Sequence, residues 1–122
     1  MDGFTQVADG AYCEIWVANK AMKTYEDAPP QHRGRMKRIL VHLSENGPND
    51  LNDQQFKAEG RFACGKGRDV MVYAAKSYQL RIYGFWKKGS KLLLVCPETA
   101  IKKDNRANQE QLKRVAKKAG EL

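Results

Sequence analysis

At 122 residues, with 42% hydrophobic and 30% charged side chains, the chain can build one packed domain over residues 1–122. It cannot build two cores, which excludes an enzyme organised around a large cofactor domain. The net charge of +8 sits in the second half: residues 1–56 hold 6 Lys or Arg against 8 Asp or Glu, and residues 57–122 hold 16 against 6. That split favours a polyanionic partner, either nucleic acid or an acidic protein segment. With no export signal and no apolar run of membrane-spanning length, a cytoplasmic protein with no membrane partner is expected.

Residues 1–10 have neither a basic opening nor an apolar signal core and read as a flexible extension. From Ala11 to Val17 the aromatic and β-branched residues of AYCEIWV predict a strand, and Asn19 to Tyr25 a short helix. Asp27 as cap, Pro29 and Pro30 in a first turn, and Met36, Ile39, Leu40 and Leu43 at i, i+3, i+4, i+7 predict a second helix. Gly47-Pro48 ends it. Asn49 to Gly60 reads as a polar connection from which Leu51 and Phe56 return to the core.

Three strands follow, at 70–75, 79–86 and 91–96, joined by turns at 76–78 and 87–90, so they form an antiparallel meander. A last helix is expected over 106–119, capped by Asn105, striped by Leu112, Val115, Ala116 and Ala119, and stopped by Gly120. The order predicts an α+β fold: a mainly antiparallel sheet with the N-terminal helices and the C-terminal helix packed on one face. The other face would then be open.

Alternation on 79–86 sends Leu80 and Ile82 one way and Arg81, Tyr83 and Phe85 the other. On an open face, an Arg beside a Tyr can hold a phosphate and stack on a base. Arg61, Lys66 and Arg68 flank a glycine-broken loop able to approach phosphate oxygens, which is not a P-loop because GxxxxGK with a following Ser or Thr is absent. Lys102, Lys103 and Arg106 lead into the last helix, and Lys87 and Lys88 occupy the meander turn. These cations are expected to assemble one basic site.

Cys13, Cys64 and Cys96 are too scattered for a disulfide framework or a zinc site, and His32 and His42 do not pair, so no metal or cofactor is expected. Conventional acid–base hydrolysis has no evident machinery. RNA cleavage by its own 2′-hydroxyl needs less: cations to stabilise charge at phosphorus, a group to move one proton, and a substrate held in line.

The run QLRIYGFW at 79–86, the Lys/Gly turn, an aliphatic strand, IKK at 101–103 and a Lys/Arg-rich final helix resemble the RelE/HigB toxin superfamily, especially its phage-derived HigB-like branch. Element order extends the resemblance over about 11–119, with motif-like similarity confined to about 70–118. It implies a RelE-like fold and the toxin of a type II toxin–antitoxin system. Such a toxin is a metal-independent, ribosome-dependent mRNA endonuclease that inhibits translation and is neutralised in a hetero-oligomer by a cognate antitoxin.

By that resemblance Arg81 orients the scissile phosphate, Lys66 and Arg68 stand for the basic loop, and Lys102 and Lys103 for the paired lysines after the last strand. Relatives place a Tyr or His base near the C-terminus. Here the last tyrosine is Tyr83 and no histidine follows His42, which leaves Tyr83 or a lysine to move the proton, or else a weak or inactive nuclease. Two other readings share the scaffold: a ParE-like gyrase poison without nuclease activity, and a non-toxic nucleic-acid-binding domain.

Overall fold

The computed structural model describes residues 1–102 and 108–122. In chain order the elements are β1 (Phe4–Asp9), β2 (Glu14–Ala18), α1 (Asn19–Asp27), α2 (Pro30–Asn46), β3 (Phe56–Gly65), β4 (Arg68–Ser77), β5 (Leu80–Lys87), β6 (Leu93–Ile101) and α3 (Gln109–Glu121). The six strands form one sheet in the order β1-β2-β6-β5-β4-β3. Among the described residues only β2 and β6 run parallel; the remaining neighbours are antiparallel. The parallel pair follows from the two helices that intervene after β2, since a parallel neighbour needs a long crossover. The fold is α+β, and no helix among the described residues is long and apolar enough to cross a membrane.

Both faces of the sheet are covered. On one, α1 and α2 bring Ala21, Met36, Leu40 and Leu43 against Ile15, Val17, Ala75, Leu80, Ile82, Leu94 and Cys96. On the other, α3 lays Leu112, Val115 and Ala116 against Val72, Ala74, Tyr83, Phe85 and Val95. The expectation that all helices share one face is therefore wrong in a specific way. The outward set of β5 includes Tyr83 and Phe85, and burying two aromatic rings under α3 is worth several kcal/mol, at ~25 cal/mol per Å² of apolar surface. Gln111 fixes the seat of α3 by donating to Thr99 O at 3.0 Å and to Glu98 Oε1 at 3.1 Å, and Arg114 reaches the same carboxylate at 3.0 Å.

Four local readings also change. Residues 4–9 do not hang free of the domain: they form edge strand β1, paired with β2 from Phe4↔Ala18 to Asp9↔Glu14. The 49–60 connection ends early, because Phe56 opens β3, a ten-residue edge strand paired to β4. Asp27 is the last residue of α1 and does not cap α2, whose N-cap is Pro29 with no side-chain bond. Asn105 lies outside the described residues; Asn108 caps α3 through a bond accepted from Gln111 N. Gly47, in contrast, ends α2 as expected, with φ of 81°.

Candidate nucleic-acid interface

Because α3 covers the sheet, Arg81 and Tyr83 do not look out from an open surface. Tyr83 is 1% exposed, and burial, reinforced by the Glu59 carboxylate against the opposing pull of Arg81, pushes its hydroxyl up to about 12. A phenol so placed stays protonated at neutral pH and cannot serve as a base. Arg81 is 9% exposed; its Nη1 donates to the carbonyls of Tyr78 and, at 3.1 Å, Leu80. The arginine thus braces the β4–β5 turn from inside.

That turn is where a site is built. Ser77 pairs with Leu80 and Lys76 with Arg81, so Tyr78-Gln79 is a two-residue hairpin turn. Tyr78 takes φ of 55°, a left-handed conformation that costs a tyrosine on the order of 1 kcal/mol. The residue is nonetheless 55% exposed. His32 lies against it with centroids 4.7 Å apart, and the Arg35 guanidinium stands 4.9 Å from the ring centre. Both partners come from α2, one turn apart.

Between this turn, α2 and the start of β3 lies a polar cleft of about 460 Å³. Arg35, Lys57, Lys76 and Arg81 line it with Tyr78, and Asp53 and Gln54 close one side. Behind Lys76 the Glu59 carboxylate approaches its ammonium at 3.4 Å, with both side chains largely covered. Four cations and an exposed aromatic side chain in one cleft are groups that can hold a phosphate and stack an unpaired base. Lys102 belongs to the same end of the sheet, since its amide donates to Gln79 O at 2.7 Å.

The remaining expected cations fall elsewhere. Gly65-Lys66-Gly67 is the β3–β4 turn, with Lys66 at φ of 57°, so Lys66 and Arg68 stand at the opposite end of β4 from Lys76. Eight residues of strand at ~3.3 Å each separate Arg68 from Lys76, about 26 Å. Lys87 shares a hollow with Lys66 and Arg68, next to exposed Lys88, at that far end. Arg61 is exposed midway along β3, opposite Met71. No single phosphate can touch Arg81 and Arg68 together, so the one-site assembly expected from the sequence is corrected to two separate basic regions. Lys103 and Arg106 lie outside the described residues.

Sequence reasoning missed Arg35, Lys57, Lys76 and Tyr78 as site residues. Lys76 was within reach: a two-residue turn at 78–79 puts it directly across from Arg81. Arg35 and Lys57 reach the cleft only through long-range packing, which no local pattern encodes. Comparison with protein-family models, curated proteins and solved structures found no match.

Proposed function

We propose that this protein is a translation-inhibiting toxin of the RelE/HigB type that cuts messenger RNA on the ribosome, with the scissile phosphate in the Arg81 cleft. The observation that carries the reading is that Arg35, Lys57, Lys76 and Arg81 share one cleft with exposed Tyr78, whose backbone is held in a left-handed conformation. Cations fixed around a phosphate stabilise the charge that develops as the 2′-hydroxyl attacks, without a metal. The ribosome supplies the in-line geometry that the open cleft does not impose. With Tyr83 buried and protonated, proton transfer falls to the Lys76–Glu59 pair: Lys76 hands a proton to Glu59 as it takes that of the attacking 2′-hydroxyl, the bond from phosphorus to the 5′-oxygen breaks, and the departing oxygen takes a proton from water. A cognate antitoxin neutralises the protein by covering these cations.

Expression in bacteria tests the reading. Wild-type protein arrests growth, and exposed Lys57, changed by Lys57→Glu, relieves the arrest without loss of fold as read by circular dichroism. Arg81→Ala is less clean, because Arg81 also ties down the Tyr78 carbonyl. Full toxicity of Lys57→Glu together with Lys76→Gln would rule out the cleft as the site.

A further inference from the structure

Five residues beyond Lys57 on the same edge strand, β3 and α3 enclose a second groove of about 540 Å³. Phe62, partly buried against the α3 core, lines it together with Lys66, Lys113 and Lys117. Helix and hairpin meet closely here: a Cβ on Gly120 would sit 1.7 Å from Cys64 O. Lys113 is paired with Glu110 at 3.3 Å, but both side chains are well exposed, and such a pair is worth little and yields readily to phosphate. Glu121, also at the groove, pairs with Lys118 at 3.6 Å.

A partly exposed aromatic side chain among ammonium groups suits an unpaired nucleotide, whose base stacks while its phosphates meet the lysines. The groove offers one aromatic ring. An acidic amphipathic helix would need apolar anchors repeated at i, i+3, i+4 and i+7, for which there is no matching row. Lys57 and Phe62 are five residues apart, about 16 Å along β3.

We infer that a single RNA strand runs along the β3 edge from the Arg81 cleft into the Phe62 groove, so that the protein holds unpaired RNA over two subsites. This rests on the cleft being an RNA site. It gives the far-end lysine Lys66 a role that its distance from Arg81 otherwise denies it.

The test uses the full chain and labelled oligouridylates of about four and about twelve nucleotides, within the range that single-strand-binding surfaces occupy. The longer oligonucleotide binds wild type more tightly. Lys113→Glu with Lys117→Glu, both at exposed positions, weakens the longer one at least tenfold and leaves the shorter unchanged. Substitution of the same two positions by Gln lowers the slope of log affinity against log salt by about 0.7 per lysine for the longer one alone. Phe62→Leu, which keeps the apolar contact with the α3 core, weakens the longer one as well. Lys57→Glu weakens both. Equal affinity for the two lengths, or α3 variants that leave the longer unaffected, overturns the second subsite while the cleft stands. A protein that binds neither length overturns both, and an acidic helical peptide that competes only with the longer RNA shows that the groove belongs to a protein partner.

Discussion

Tyr78 carries a cost and a use in one residue. Its left-handed φ is disfavoured for a tyrosine, yet its carbonyl is held by Arg81 and its ring is stacked against His32 and Arg35. Tyr78→Asn tests whether the ring is kept for binding, because Asn tolerates that conformation and offers no stacking face. Melting temperature is expected to change little, while affinity for single-stranded RNA falls five-fold to a hundred-fold, as loss of about 1–3 kcal/mol of base stacking requires. Unchanged RNA affinity would remove Tyr78 from the site.

Tyr83 makes a different demand. Its folded-state hydroxyl is raised to about 12, while in the unfolded chain it titrates near the ordinary value of 10.0. Its contribution is therefore complete below pH 10 and is lost as pH rises through 12, because the unfolded chain releases the proton first. Denaturant unfolding followed from pH 9 to pH 12 is expected to show a steeper loss of stability for wild type than for Tyr83→Phe (~10 being the ordinary tyrosine value). Parallel curves would mean that the ring is not sealed under α3.

Glycines separate two kinds of helix position. Gly34 sits in α2 with open space where a Cβ would go, so Gly34→Ala is expected to stabilise the protein by about 0.5–1 kcal/mol through helix propensity. Gly120 lies within α3, which runs on to Glu121, so it does not stop the helix as its position in the sequence suggests. It is where the helix touches the β3–β4 hairpin, and Gly120→Ala is expected to cost about 1–3 kcal/mol despite the better propensity. Chemical denaturation of both variants checks the opposite signs.

The same contrast explains what was legible. The apolar spacing of α2, the stripe on α3 and the strands β4 and β5 follow from local period, and the sequence predicts each within a few residues, whereas β6 runs five residues beyond the expected 91–96. β1 and β3 are edge strands with polar outward residues, so their pairing partners, and not their own pattern, define them. The side chosen by α3 was illegible for a related reason. Alternation on β5 separates Leu80 and Ile82 from Tyr83 and Phe85 but cannot say that both sets are covered.

Across the whole molecule, the +10 net charge of residues 57–122 now has a distribution. Lys57, Lys76 and Arg81 meet Arg35 at one end of the sheet, and Lys66, Arg68 and Lys87 stand at the other. The acidic first half supplies Asp53 at the cleft and the helices that pack the opposite face. Charge asymmetry on its own suggests a polyanionic partner, and the length of β4 splits the cations that would meet it between two ends of the sheet.

The central claim is cleavage of translated mRNA through the Arg81 cleft, and mapping of RNA 5′ ends in a reconstituted translation system tests it most directly. The account predicts new ends only when ribosomes are translating, retained in the presence of a chelator at magnesium levels that keep ribosomes intact, and reduced at least tenfold by Lys57→Glu and by Glu59→Gln. Intact messenger RNA alongside growth arrest, or cleavage that Lys57→Glu and Glu59→Gln leave unchanged, would contradict it.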